Sequence, residues 1–206
     1  MTEFLQVHTV NPEPRHIKRA VQVLQKGGVI IYPTDSTYAL GCRMGDKTAL
    51  ERIRRIRRLD EKHHFTLVCL DLSSLSVYAQ VDNSAYRILK AYTPGAYTFI
   101  LKATPEVPRR LMHPKRRTIG IRVPGNPVAR ALLGQFGEPI MSTSLLLPED
   151  EQALTDAYEM RIRLNNQVDL IVDGGPCSLT PTTVVDLVGG TAEVIRTGKG
   201  DPEPFK

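Results

Sequence analysis

Five consecutive residues with hydrogen-bonding side chains, Thr34, Asp35, Ser36, Thr37 and Tyr38, follow directly on the apolar run Val29-Ile30-Ile31-Tyr32 and Pro33. Hydroxyls and a carboxylate at this density can hold a small polar molecule in one orientation, and the small residues Ala39 and Gly41 leave room for it. A lone Thr or Asp here would satisfy its own backbone in an Asx- or ST-turn, but five exceed what a tight turn requires. The cations form a second chemistry-bearing set. Arg52, Arg54, Arg55, Arg57, Arg58 and Lys62 cluster in one stretch, and Arg109, Arg110, Lys115, Arg116, Arg117 and Arg122 in another, so that twelve of the 27 Lys and Arg residues sit there. The first group also fits the solvated face of a helix, because Ile53 and Ile56 supply a buried stripe. With few acidic neighbours in the sequence, the arginines point to phosphate, whether of a nucleotide, of RNA or of both.

The elements that must position these groups alternate. Ile17, Ala20, Val21 and Leu24 recur at i, i+3, i+4 and i+7 and predict a helix from Arg15 to Lys26, stopped by Gly27. It feeds a buried strand, Val29 to Tyr32, and the hydroxyls then lie at the carboxyl end of a strand, where open α/β sheets place their ligands. Lys47 to Arg58 reads as a second helix, Phe65 to Leu70 as a strand and Asp82 to Tyr92 as a helix. Tyr97 to Lys102 and Thr118 to Val123 read as strands, and Asn126-Pro127 as a helix cap with Pro at the first helical position. Pro139 to Ser142 is a strand, Glu149 to Leu164 a helix, and Val168 to Val172 and Thr183 to Val188 are strands. Gly189-Gly190 then turns the chain into a last strand, Ala192 to Arg196. Several strand pairs are joined too briefly for parallel crossovers, so the expected fold is α/β with a twisted, mixed parallel and antiparallel sheet and flanking helices.

The 206 residues suit one compact domain, 1–206, with no repeat and no linker long enough to divide it. A net charge of +5 favours a polyanionic partner, with ordinary solubility as the plain alternative. Cys42, Cys69 and Cys177 are odd in number and widely spaced, which argues against a disulfide framework or a zinc site and for a reducing cytoplasm. No signal-like start and no membrane-length apolar run is expected. Adjacent His63 and His64 point to opposite faces of a strand and lack an acidic or thiol partner at ligand spacing, so no metal site is assigned to them. Gly174-Gly175-Pro176 reads as a turn, and Tyr78, Tyr86 and Tyr92, each beside apolar residues, as core.

Pro33-Thr34-Asp35-Ser36-Thr37-Tyr38-Ala39-Leu40-Gly41 resembles the Pro-Thr-Asp-Thr-x-Tyr-Gly-Leu-Gly segment of the YrdC-like family of threonylcarbamoyl-adenylate synthases, enzymes of tRNA modification. Later segments agree in order: Pro94-Gly95-Ala96-Tyr97-Thr98-Phe99, Ile121-Arg122-Val123-Pro124, Ser142-Thr143-Ser144, Pro181-Thr182-Thr183-Val184-Val185-Asp186 and Ile195-Arg196-Thr197-Gly198. The match runs from about Gly27 to Gly198 and is closest to the family's YciO branch. The resemblance implies a YrdC-like fold with a basic concave face, and a reaction that joins L-threonine, bicarbonate or CO2, and ATP, with Mg2+ as part of the substrate complex, into threonylcarbamoyl-AMP and pyrophosphate. It assigns Thr34 and Tyr38 to the threonine pocket and Arg57 and Arg122 to catalysis. Arg57, Arg58, Ser142, Ser144, Thr182 and Arg196 then hold the nucleotide, while the basic clusters offer Arg54, Arg55, Arg58, Arg116 and Arg117 to RNA, either tRNA or double-stranded RNA. Guanidinium forks suit carboxylate and phosphate.

The chain also departs from the family pattern. Where the family has Lys-x-Arg-Pro, the residues here are Arg57-Arg58-Leu59-Asp60, and the family's Ser-x-Ser-Ala-Asn becomes Ser142-Thr143-Ser144-Leu145-Leu146. A family proline falls at Phe65, so the resemblance brings His64 near the triphosphate region as a neutral donor. These changes weaken two phosphate-side contacts. They leave two readings open: an enzyme of weak or altered turnover, and an RNA-binding module that has lost catalysis.

Overall fold

The computed structural model describes residues 1–60 and 63–205. Lys62, counted above with the first basic cluster, lies outside the described residues.

Local signals account for most elements. Helix α1 (Pro14–Gln25) begins with proline in its first turn and buries Ile17, Ala20, Val21 and Leu24 as one stripe. Helix α2 (Lys47–Arg57) starts where the Asp46 side chain accepts the Ala49 N–H, and it ends with Arg58 in the left-handed region at φ 48°. Helices α3 (Leu72–Tyr78) and α4 (Asn83–Tyr92) are capped by Asp71 and Asp82. In α5 (Pro127–Phe136) the Asn126 side chain accepts two backbone N–H groups, and α6 (Ala157–Leu164) starts at Asp156. The helix expected from Glu149 is thus confined to its last half. Residue 154 instead donates its N–H to Leu145 O, which holds the preceding segment against the end of a strand.

Ten strands form one mixed sheet: β1 (Glu3–Gln6), β2 (Ile30–Tyr32), β3 (Ala39–Arg43), β4 (Thr66–Val68), β5 (Tyr97–Lys102), β6 (Thr118–Arg122), β7 (Ile140–Ser144), β8 (Leu170–Asp173), β9 (Thr183–Asp186) and β10 (Glu193–Arg196). Their spatial order is β1-β8-β2-β3-β7-β4-β6-β5-β9-β10. Pairing is parallel for β1–β8, β2–β8, β4–β6 and β5–β9, and antiparallel elsewhere. Three elements carry no local pattern strong enough to announce them: β1, β3 and α3. Ala39-Leu-Gly-Cys-Arg43 is poor in branched residues, and Leu72-Ser-Ser-Leu-Ser-Val-Tyr78 reads as a serine-rich loop. Strand β3 exists because β2 and β7 pair with it on both sides, Leu40 opposite Ile31 and Thr143.

The two sheet faces differ. On one, α2, α3, α4 and α6 cover a large apolar core that includes Ile31, Leu40, Leu67, Phe99, Ile121 and Met141. On the other, α1 and α5 pack over Ile30, Tyr32, Leu170 and Val172, and this cover reaches as far as Val68 and Ile140. Beyond them the same face of β4, β5, β6 and β7 presents small and polar side chains instead, because strand alternation puts Thr66, Thr98, Thr118, Gly120, Arg122, Ser142 and Ser144 opposite the large core. No helix among the described residues is long and apolar enough to cross a membrane.

Candidate active site

That polar face opens into a cavity of about 480 Å³, within the ~300–1,000 Å³ span of small-molecule sites. Four guanidinium groups line it, those of Arg57, Arg116, Arg122 and Arg196, and no Asp or Glu does so among the described residues. Hydroxyls from Thr37, Thr66, Thr98, Thr118, Ser142, Thr143, Ser144 and Thr182 fill the spaces between them.

Arg122 organises the wall nearest the hydroxyl loop. Its side chain is buried and forms an ion pair with Asp35, whose second oxygen accepts the Gly125 N–H at 3.0 Å. Nη1 donates to Ser36 Oγ at 3.0 Å and Nη2 to Thr34 Oγ1 at 3.3 Å. Burial lowers the guanidinium to about 10, so it stays charged at neutral pH. Its Nε–H is buried without a partner among the described residues. An orphaned donor of this kind in a cavity wall is costly unless an acceptor completes it.

Arg57 stands at the far rim. It leaves the last turn of α2 and reaches the end of β7, where Nε donates to Leu146 O at 2.6 Å and Nη1 to Thr143 Oγ1 at 2.7 Å. Burial lowers its pKa. His63 lies within 3.2 Å of the same Thr143 hydroxyl, and His64 stacks on His113 with ring centroids 5.0 Å apart. All three imidazoles line the cavity. At the other side Arg196 turns Nη2 onto Thr182 O at 2.9 Å, and Thr182 Oγ1 shares a 2.9 Å hydrogen bond with Thr98. Arg116 is paired with Asp186 at 2.5 Å.

Of the residues singled out by sequence, Arg57, Arg116, Arg122, Ser142, Ser144, Thr182 and Arg196 meet in this one cavity. Ser142 arrives with its hydroxyl engaged, accepting from Tyr32 and donating to Leu40 O, both at 3.0 Å. The Tyr32 ring crosses Gly41 to get there, and a Cβ on Gly41 would lie 2.7 Å from that ring. The Ser144 hydroxyl, by contrast, has no hydrogen-bond partner among the described residues, and its backbone carbonyl accepts the Leu146 N–H.

Thr34 lies behind Arg122 rather than in the lining: Oγ1 donates to Thr37 O at 2.6 Å and accepts the Ser36 N–H at 3.1 Å. Tyr38 is fully buried, donates to Gly175 O at 2.7 Å and accepts the Gly174 N–H at 3.2 Å, so it closes the turn after β8. Burial raises its phenol well above the usual range.

The helix-borne cations sit apart from the cavity. Arg52 pairs with Asp169 at 2.7 Å, Arg54 with Glu51 at 3.0 Å and Arg58 with Glu149 at 3.2 Å. Arg55 and Arg117 are exposed. The acidic partners that the linear sequence hides, Asp169 and Glu149, come from distant segments and offset much of the charge first read as a phosphate or RNA surface. Tyr86 is exposed, whereas Tyr92 packs against Tyr97 and Phe205.

Sequence reasoning did not select Thr66, Thr98, Thr118, Gly120, Thr143 or His113 as site residues. The signal for part of this set was available in the alternation Thr118-Ile-Gly-Ile-Arg122, a strand with one apolar and one polar or open face. Among the described residues no group of three or more His, Cys, Asp or Glu is placed to hold a metal ion.

Comparison with known proteins agrees with this architecture. The profile of the Sua5/YciO/YrdC family, described as telomere recombination, matches residues 22–198, and the chain belongs to that family. The protein YciO of Escherichia coli strain K12 is 57% identical over 205 residues, with all of both chains covered. Its crystal structure superposes with a TM-score of 0.96 over the full length of both. A threonylcarbamoyl-AMP synthase of Coxiella burnetii is 31% identical over 183 residues, covering 87% of this chain and 96% of that protein. The crystal structure of P. abyssi Sua5 complexed with L-threonine shares the fold, with a TM-score of 0.90 at 23% identity, over 98% of this chain and 59% of that one.

Proposed function

We propose that the chain binds ATP and L-threonine in the cavity and forms threonylcarbamoyl-AMP. The observation that carries this reading is a cavity lined by four guanidinium groups and many hydroxyls, with no carboxylate in its wall among the described residues. Such a wall suits a polyphosphate, whose charge it neutralises, better than a cationic or apolar ligand. The 31% identity to a threonylcarbamoyl-AMP synthase supports the reaction class.

In the proposed reaction the free threonine amine adds to CO2 and loses a proton to solvent, giving a carbamate. A carbamate oxygen then attacks the α-phosphorus of ATP, the bond from that phosphorus to the oxygen bridging to the β-phosphate breaks, and pyrophosphate leaves. Arg57 and Arg196, whose cationic ends have no carboxylate partner among the described residues, stabilise the transferring and departing phosphates. Arg122, held by Asp35, Ser36 and Thr34, adds a fixed positive charge to the wall nearest the hydroxyl loop. Since no carboxylate among the described residues lines the cavity, Mg2+ would arrive held by the phosphates of ATP, and it would neutralise charge on them.

The test is pyrophosphate release from ATP in the presence of L-threonine and bicarbonate. Release that depends on all three is expected. Arg57→Ala should lower the rate by about 100-fold, the scale of two lost charge-assisted hydrogen bonds at roughly 1.5 kcal/mol each. If the wild-type protein releases no pyrophosphate and ATP does not raise its melting temperature, the reading fails.

A further inference from the structure

We propose that Thr143 and His63 form a hydrogen-bond relay that positions Arg57 and presents its terminal nitrogens end-on to an oxyanion in the cavity. The proposal rests on the nucleotide reading only in taking that oxyanion to be part of a polyphosphate. Thr143 alternates away from Ser142 and Ser144 along β7, and its Oγ1 accepts the Arg57 Nη1–H at 2.7 Å. A threonine hydroxyl has one proton to give, and the acceptor within reach is His63 Nε2, at 3.2 Å. The ring proton of His63 is thereby assigned to Nδ1, and the sequence of donors runs from Arg57 to Thr143 to His63.

The surroundings keep this acceptor available. Burial, then the neighbouring Arg57 and His64, lower His63 to about 4, with Asp60 opposing and Arg54 adding a smaller push. The imidazole is therefore neutral near pH 7. Phe65 fixes its plane, edge to face at 5.4 Å and 85°.

The consequence falls on Arg57. A guanidinium meets an oxyanion either side-on, through Nε and one Nη, or end-on, through both Nη atoms. Leu146 O takes Nε at 2.6 Å, which closes the side-on mode. Nη2 has no partner among the described residues, and the group lines the cavity, so the end-on mode remains. Without Thr143 the plane of the group can rotate about its bond to Leu146 O, and the cation becomes a loose point charge.

Two measurements on the full-length protein test this. Side-chain 15N NMR of histidine at pH 7 should show His63 protonated at Nδ1 with Nε2 as an acceptor, a result that needs no ligand. Calorimetric titration with inorganic pyrophosphate should show Thr143→Val binding about tenfold more weakly than wild type at an unchanged melting temperature, with Thr143→Ser within about twofold of wild type. His63 protonated at Nε2, a Val variant that binds as well as wild type, or a wild-type protein that ignores pyrophosphate would each overturn the relay. A protein with the Nδ1 tautomer and the Val defect that makes no adenylate would uphold the relay while refuting the proposed reaction. Adenylate synthesis untouched by Thr143→Val would do the reverse.

Discussion

Arg57 and Leu146, 89 residues apart in sequence, meet in a 2.6 Å hydrogen bond from the guanidinium Nε–H to the backbone carbonyl. Both fall where the sequence resemblance marks a departure from the family's motifs, and this hydrogen bond joins the two positions. An aliphatic side chain at 146 removes an amide, yet the backbone carbonyl there is an acceptor that any residue provides. Arginine can occupy that carbonyl and Thr143 and still turn donors to the cavity, because it has five N–H groups in a fixed plane.

Arg57→Lys is therefore not a neutral restoration of the family residue. One ammonium nitrogen cannot satisfy Leu146 O and Thr143 Oγ1 and also meet a phosphate. We expect ATP affinity to fall roughly tenfold, about 1.4 kcal/mol, in a calorimetric titration. Equal or tighter binding by the lysine variant would contradict the assigned geometry.

Asp35→Ala should be among the most destabilising single changes near the cavity. Arg122 has a side chain only 9% exposed, and removal of its carboxylate partner leaves an uncompensated buried charge. Breaking such a pair costs about 3–5 kcal/mol. Urea denaturation will show this as a lower midpoint, and Asp35→Asn, which keeps an acceptor for the Gly125 N–H, should lose less.

Gly198→Ala tests how the C-terminal segment is seated. A Cβ on Gly198 would fall 2.4 Å from Pro181 O and 2.5 Å from the carbonyl carbon of Thr182, which are backbone atoms and cannot swing aside. Relief requires the segment carrying Arg196 to lift from Thr182. Stability should drop by about 2 kcal/mol or more and ATP binding should weaken with it, as read by thermal melting and calorimetry. A variant with wild-type melting temperature would show that the contact is not tight.

His63 makes stability depend on pH in a definite direction. Its folded-state pKa is lowered to about 4 from an ordinary 6.5, so between these values the unfolded chain binds more protons than the folded one. Stability then falls as pH drops through that window, and the group has no effect above it. His63→Phe should flatten the loss of urea midpoint between pH 7.5 and pH 5. Identical slopes in the two proteins would show that His63 is not held neutral.

Much of the fold was legible because its signals are local. The stripe Ile17, Ala20, Val21 and Leu24 defined α1 within a residue at each end, Asn126 and Pro127 marked the start of α5, and Tyr97–Lys102 was read with its full span. Strand β3 was not, since Ala39, Gly41 and Cys42 carry little strand preference and gain their conformation from neighbours on both sides. The site divides in the same way. Seven of the selected residues converge on the cavity. Thr34 and Tyr38, in the segment that first drew notice, are turned to Arg122 and to the turn at Gly174-Gly175.

Residue type and spacing determined that this chain would build a mixed sheet and end its strands in hydroxyls, and the family resemblance added Arg122 and Arg196 to that set. Which of those groups keep a free donor was decided only when β8, β7 and β9 brought Asp169, Leu146 and Thr182 against Arg52, Arg57 and Arg196. Propensities and caps depend on atoms a few residues away, whereas the satisfaction of a charge or a hydroxyl depends on partners that strand order delivers from across the chain.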